Sequence, residues 1–442
     1  MALTLDIRSE LEKAPLGPRH WMVVLILGMV TLFDGYDTFV PSYVIPYAIK
    51  DWRLPPSQAG LLFSSGLVGF MVGSLLVGLI ADRAGRKRTL LGGLLASCLI
   101  DLVTAAHARS FGEFVGLCLL AGVGLGMLLP LSVTLINEFA PRKTTNMLVG
   151  FVMVGWSAGG ILAALMGLTL APRFGWPSMY WMDSLAIPLM LACAFTLRES
   201  PRFLALKNLQ LQLRQVMAWL APDRARLYAD ATFNTAEDAG HSGSVSRLLE
   251  PVVRHSTLVV WLCAACSLFT IFGLSGWVPQ SMIQRGESFG ASFAFGALLQ
   301  IMALLGGVGC GWTADRVDRR RVLALSWGIG ALAIVGLALL NNHWTNILFI
   351  SVAGFFIMGA QPVLNNFTAS LYETEIKSTG VGVELGVGRL GGVLGPYVGG
   401  WLKQLFPGSL ALFSAMAMAI ALCALAILLL RRAPAVNLSR PT

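Results

Sequence analysis

Twelve long apolar runs, each wide enough to cross a bilayer, dominate the sequence and leave few folds open to it. They fall at roughly 21–47, 57–80, 88–106, 112–137, 147–170 and 178–197. After a polar stretch they resume at 256–283, 290–313, 322–340, 345–370, 380–401 and 409–430. A helix spanning the hydrocarbon needs about 20 apolar residues, and helices satisfy every backbone amide within the segment. The predicted class is an all-α polytopic membrane protein with 12 transmembrane helices in two six-helix halves. Composition agrees: of 442 residues, 56% are hydrophobic and 12% charged, where a soluble domain carries about 25% charged residues. That balance excludes a soluble enzyme, and the hydrophobicity excludes a disordered chain.

The runs divide the chain into an N-terminal segment 1–20, a first half 21–197, a central loop 198–255, a second half 256–430 and a C-terminal segment 431–442. Lys and Arg mark the orientation. The two termini and the breaks after the second, fourth, sixth, eighth and tenth runs hold 25 of the 32 basic residues. Both termini are therefore expected on the cytoplasmic side of the membrane. The same loops account for the net charge of +9 without calling on nucleic acid. The seven cysteines all lie inside apolar runs, so no disulfide framework is expected, and no metal site is visible. The first run lacks a small-x-small cleavage site and reads as a span rather than a signal peptide.

In the central loop, Leu206, Leu209, Leu213, Val216 and Leu220 recur at helical spacing with Lys207 and Arg214 between them. This predicts an amphipathic helix over 203–220 lying on the membrane surface, or a plain connector. Residues 229–246 are polar and rich in Gly and Ser, as in a flexible linker.

The two halves also share a loop motif. Gly78-Leu-Ile-Ala-Asp82-Arg83-Ala-Gly85-Arg86 follows the second run, and Gly311-Trp-Thr-Ala-Asp315-Arg316-Val-Asp318-Arg319 follows the eighth. Paired halves of this kind are a common build for secondary transporters, with substrate bound near the midplane. On these loops the chain resembles the major facilitator superfamily over essentially its whole length.

A narrower likeness is to the aromatic acid:proton symporters. It rests on Asp34-Gly35-Tyr36-Asp37 in the first span, on Pro130, Glu138 and Pro141 at the end of the fourth, and on the stretch from Gly359 to Gly400. That stretch contains Gln361, Tyr372-Glu-Thr-Glu-Ile-Lys377, Gly388-Arg389-Leu-Gly391 and Gly395-Pro396. Three positions depart from the family pattern. Cys118 stands where an Arg is usual, Lys377 replaces an Arg, and Glu384 replaces a neutral residue.

Charges deep in a bilayer are costly and mark function by default. Asp34 and Asp37 lie about 20–24 Å into the first span at 1.5 Å per residue, and their i, i+3 spacing puts both on one face. Two carboxylates so close in a partly dry site do not both hold charge easily. A group that takes and releases a proton is what a proton-coupled carrier requires. Arg389, deep in the eleventh span, is suited to grip a substrate carboxylate or to hold that Gly-rich helix by a structural ion pair. Glu384 is about 140° round the helix from Arg389, so it is not its simple partner; it is expected to face the substrate cavity or the cytoplasmic vestibule.

Flat apolar surface for an aromatic ring is available from Phe33, Tyr36, Phe39, Tyr43, Trp156 and Trp277, and polar partners from Gln361, Asn365 and Asn366. The resemblance implies that the first, fourth, seventh and tenth spans line the cavity, which favours Tyr36, Trp277 and Gln361. It also implies that Gly78, Asp82, Arg83, Arg86, Asp315 and Arg316 lock one conformation of the cycle, with Glu138 as a partner. Asp101, His107, Glu113 and Asp183 fall toward the outer ends of their runs, where water is near, and receive no role.

The expectation is a monomeric proton symporter that imports a benzoate-type carboxylate through the lipid bilayer, with the proton gradient in place of any cofactor. Rivals are a carrier of another small organic anion such as nicotinate, a metabolite or drug exporter, and a non-transporting receptor. Gly155-x-x-x-Gly159-Gly160 lacks the Pro of the antiporter motif, which counts against the exporter.

Overall fold

A computed structural model describes residues 4–13, 16–234, 245–373 and 376–430. The first six long helices are α1 (Pro18–Trp52), α2 (Pro56–Ala84), α3 (Arg86–His107), α4 (Phe111–Phe139), α5 (Arg142–Thr169) and α6 (Pro177–Thr196). The second six are α7 (Arg254–Gln284), α8 (Phe289–Ala314), α9 (Arg319–Leu339), α10 (His343–Leu371), α11 (Lys377–Leu405) and α12 (Leu410–Leu429). Eleven of these are apolar enough to cross a membrane by length and composition alone. The other, α11, is 29 residues long, and its many glycines and its Glu384, Arg389 and Lys403 lower its hydropathy. Two helices are interrupted. α6 tightens to a 3-10 turn at Met182–Leu185, and α10 loosens to a π turn at Gly354–Met358.

The chain forms two compact units, one of residues 1–240 with 289–297 and one of 241–288 with 298–442. Within each, the same pairs of helices pack together. α1 lies along α5, α2 along α4 and α3 along α6; α7 lies along α11 and α9 along α12. Close approach in both halves depends on glycine. A Cβ on Gly35 would land on the Trp156 carbonyl of α5, and one on Gly391 would land on the Ala265 carbonyl of α7. Small residues allow this contact where lipid supplies no hydrophobic drive between helices. Gly155 and Gly159 serve the same α1–α5 seam from the other side, against the Gly28 and Leu32 carbonyls. Pro41 and Pro46 lie within the continuous α1, so Asp34 and Asp37 do not cap a helix break.

The N-terminal segment and central loop depart from expectation. β1 (Thr4–Asp6) pairs in parallel with β2 (Thr232–Asn234), and a short helix, Ile7–Lys13, follows β1. Residues 203–220 form two helices, Pro201–Leu206 and Gln210–Leu220. Their buried residues Leu213, Val216, Met217 and Leu220 join a core with Ile7, Leu11, Phe203 and Leu204. That part of the apolar face is thus covered by protein, while Leu206 and Leu209 stay exposed, and the segment is a folded cap. Glu10 is its buried anchor, taking the Tyr228 hydroxyl at 3.1 Å, Lys13 at 3.0 Å and Arg224. Residues 232–234 of the expected linker are strand; residues 235–244 and the C-terminal segment 431–442 lie outside the described residues.

Candidate functional site

In the first half, α1 carries Asp34 and Asp37 into the interior, with Asp34 fully buried and Asp37 8% exposed. Two further carboxylates converge on Asp37: Asp101 from α3 and Asp183 from the 3-10 turn of α6. Carboxyl oxygens of Asp37, Asp101 and Asp183 all lie within 4.8 Å of one another. Asp101 is 3% and Asp183 1% exposed, so counting residues from the helix ends misplaced both in water. Their depth is a tertiary property. α3 and α6 pack together, and the Cys98 thiol meets the Asp183 carbonyl at 3.1 Å, which turns both acids inward.

A cavity of about 30 Å³ adjoins this cluster, lined by Asp37, Thr38, Asp101, Cys118 and Tyr180 together with apolar residues such as Phe63 and Phe70. That volume admits a water or two and no organic substrate. The Thr38 hydroxyl and one Asp101 oxygen are buried with no hydrogen-bond partner among the described residues. Three carboxyls at this separation in a dry site repel one another when ionised. The sequence offered no signal for the convergence beyond the presence of acids inside three apolar runs.

Tyr36 faces the same region but is committed elsewhere. It is buried, and its hydroxyl donates to the Met179 carbonyl at 2.6 Å. Phe39 stacks edge-on against Trp156 at 4.9 Å between centroids.

At the loop end of this half, Arg86 is 8% exposed and ties several elements together. Its guanidinium meets Asp82 at 3.0 Å and Glu138 at 3.6 Å, and lies 5.4 Å from the Phe203 ring centroid. The α3 N-terminus is capped by Glu199, which accepts from the backbone amides of Arg86 at 2.9 Å and Lys87 at 3.1 Å. A carboxylate there complements the exposed amides and the helix dipole. Gly85 has φ +100, a conformation that glycine adopts at little cost. Gly78 and Arg83 are exposed in the last turns of α2.

The matching loop of the second half is looser. Asp315 and Arg316 are exposed, and Arg316 turns back onto its own helix, donating to the Trp312 carbonyl at 3.0 Å and lying 3.8 Å over its ring. Asp318, the counterpart of Gly85, caps α9 by accepting from the Arg320 amide.

Elsewhere in that half, the π turn of α10 sets Gln361 against α7. Ser267 donates to the Gln361 carbonyl oxygen at 2.9 Å, and the Gln361 amide reaches Asn365 at 3.3 Å. Arg389 is half-buried on α11 and Glu384 fully buried. Both Glu384 oxygens lack a hydrogen-bond partner among the described residues. Trp277 is fully buried, with its indole N–H on the Pro396 carbonyl at 2.9 Å. The sequence runs stopped α11 at 401, whereas the helix continues to Leu405; Lys403 therefore went unnoticed and is also buried.

Over most of its length the chain is similar to bacterial transporters. It is 33% identical over 443 residues to the gallate transporter of Pseudomonas putida, covering 98% of each chain. It is 29% identical to the benzoate transport protein of Acinetobacter baylyi over 92% of this chain and 88% of that one. The 4-hydroxybenzoate transporter PcaK of Pseudomonas aeruginosa is 29% identical over 96% and 95%. Among solved structures, the xylose transporter XylE from E. coli in a partially occluded inward open conformation superposes with a TM-score of 0.72. It has 18% identity and covers 92% of this chain and 97% of that one. A profile of the Major Facilitator Superfamily matches residues 27–313 and 260–442. The chain is therefore a multi-pass secondary transporter rather than an enzyme, and it belongs to the Major Facilitator Superfamily.

Proposed function

We propose that the protein imports an aromatic carboxylate together with protons across a bacterial inner membrane, with both termini cytoplasmic. The observation that carries the coupling is the cluster of Asp37, Asp101 and Asp183. Carboxyls drawn from three helices and held within 4.8 Å bind a proton when shielded from water and release it when the site rehydrates. Asp34, one turn earlier on α1, adds a fourth buried acid.

The aromatic substrate is supported by the names of the relatives, which handle gallate, benzoate and 4-hydroxybenzoate. Within the second half, Arg389 is the proposed carboxylate partner. Gln361 and Asn365 serve as the polar pair for a ring substituent, since amides positioned by a π turn are pre-set for hydrogen bonding. Glu384 is a second ionisable group on that path. Trp277 and Tyr36 are hydrogen-bonded away from open space and act here as supports. The Arg86–Asp82–Glu138 contacts hold the loop side of the first half, with Gly78 and Arg83 beside them. Asp315 and Arg316 form the weaker counterpart.

Uptake of labelled benzoate, 4-hydroxybenzoate and gallate into proteoliposomes, with and without an inward proton gradient, tests the reading. Accumulation driven by the gradient and lost in Asp37→Asn is the expected result, with Asp34→Asn run beside it. Gradient-independent uptake would overturn the coupling. Folded protein that moves none of the three acids would overturn the substrate class.

A further inference from the structure

Lys403 is a buried lysine with no carboxylate partner among the described residues. It keeps 6% of its surface exposed. Its ammonium donates to the Ser281 hydroxyl at 2.8 Å and lies 5.0 Å from the centroid of the Trp277 ring. No acid among the described residues forms an ion pair with it. Glu384 is on the same helix but about 28 Å away at 1.5 Å per residue. A lysine this deep is ordinarily paired, because an ammonium out of water needs a counter-charge as well as hydrogen bonds.

The neighbouring groups add to the imbalance. Arg285, one turn beyond Ser281 on α7, spends its guanidinium on neutral oxygens. It meets the Leu340 carbonyl and the Asn346 side chain, each at 3.2 Å, and the Leu337 carbonyl at 2.5 Å. Glu287 is bound to Asn346 and His343. The C-terminal ends of α7 and α11 favour a positive charge here, but that effect is small beside the hydration an ammonium loses on burial. An ammonium has three donors, and Ser281 takes one.

We propose that Lys403, Ser281 and Trp277 form a carboxylate-binding site at the end of the second half away from the Asp315 loop. On the transport reading above, its ligand is the carboxylate of the imported acid, met there by the ammonium and the Ser281 hydroxyl. Trp277, fixed by its bond to Pro396, supplies a ring face that steadies the ammonium while the site is empty. The flexible lysine stem needs only a small movement to present its charge.

Binding of benzoate, benzamide and cyclohexanecarboxylate to the purified full chain in detergent, by calorimetry, is the test. Wild type is expected to prefer benzoate over benzamide. This site is separate from the Arg389 contact, about 21 Å along α11 at 1.5 Å per residue, so the comparison is made in an Arg389→Met background. There Lys403→Met is expected to bind benzoate roughly tenfold or more weakly, the loss of one charge-assisted hydrogen bond, and to lose the preference over benzamide. Lys403→Arg is expected to retain the preference. Equal benzoate affinity with and without Lys403→Met in that background overturns the site, and proton-driven benzoate uptake by wild type and by Lys403→Met alone would leave the transport reading standing. Binding of cyclohexanecarboxylate but not benzoate, lost in Lys403→Met, supports the site and overturns the aromatic reading. No carboxylate bound by folded wild type overturns the site. If Lys403→Met does not fold, Ser281→Ala decides: several-fold weaker benzoate binding supports the site and unchanged binding overturns it.

Discussion

The two halves share one packing scheme and differ in the balance of ionisable groups that they carry deep within their spans. In the first, Asp34, Asp37, Asp101 and Asp183 all lie within the helices, three of them in contact range. In the second, the deep groups are Arg389, Lys403 and Glu384. The scaffold tolerates this because the seams that hold each half, α1 on α5 and α7 on α11, rest on glycines set against backbone, with single polar contacts added, Thr31 on the Val152 carbonyl in the first and Ser281 and Trp277 on α11 in the second. A duplicated bundle is thus free to place acid chemistry in one copy and anion-binding chemistry in the other. On the proposed reading, the proton is held in the first half and the substrate's charge is met in the second.

The sharpest break of that contrast comes from neutralising acids in each half. Asp101→Asn and Asp183→Asn are expected to lower gradient-driven accumulation on the order of 100-fold, the scale on which a group that must gain and lose a proton matters. Glu384→Gln is expected to retain gradient dependence while raising the KM for substrate. Uptake measured across a range of imposed gradients separates the two. Full activity in Asp101→Asn and Asp183→Asn, with loss in Glu384→Gln, would reverse the assignment of halves.

Cys118 offers a graded version. It lines the small cavity with Asp37 and Asp101, at the position where the family resemblance implies an Arg. Cys118→Arg would place a guanidinium beside the cluster and favour the charged carboxylates. Proton loading then needs more acid outside, so the pH optimum for uptake is expected to fall by about one unit. An unchanged optimum in an active variant would show that the cluster does not carry the coupled proton.

Why the pair on α1 was legible and its partners were not follows from the kind of information involved. Asp34 and Asp37 announce themselves by spacing on one helix, and the spans and loop motifs by long runs and repetition. Asp101 and Asp183 join Asp37 only because α3 packs on α6 and a 3-10 turn aims Asp183 inward, which no local pattern states. Lys403 was lost because an apolar run ends before its helix does. The helix at Gln210–Leu220 was legible as amphipathic, but amphipathicity does not say what covers the apolar face. Here Leu213, Val216 and Leu220 are buried in a protein core that also holds Ile7 and Leu11, while Leu206 and Leu209 stay exposed.

The loops provide the next comparison. Arg86 and the Glu138 side chain are both nearly buried, 3.6 Å apart, whereas Arg316 is exposed against Trp312. Breaking a buried pair from one side strands the other charge and costs about 3–5 kcal/mol; an exposed substitution costs about 0.5 kcal/mol or less. Arg86→Leu is therefore expected to lower the thermal stability of the purified protein clearly, and Arg316→Leu scarcely. Similar losses in both would mean that the two loops are equivalent and that the burial of Arg86 is incidental.

The smallest effect belongs to the cap, which has no counterpart among the described residues of the second half. Tyr228→Phe removes one of the three groups on Glu10, worth about 1 kcal/mol. Burial and the bond to Glu10 push the Tyr228 phenol up to about 12, against about 10 in an unfolded chain. Folding therefore favours the protonated phenol. Its contribution is whole below about pH 10 and declines between about 10 and 12, as the unfolded chain ionises and the folded one does not. Hydrogen exchange of the helix Gln210–Leu220, followed from pH 9 to 12 relative to helices outside the cap, is expected to show protection falling over that window in wild type. In Tyr228→Phe the fall should be shallower, from a slightly lower start. Identical slopes in the two proteins would mean that Glu10 is held by Arg224 and Lys13 alone, and that the cap is fastened by charge and apolar contact without the tyrosine.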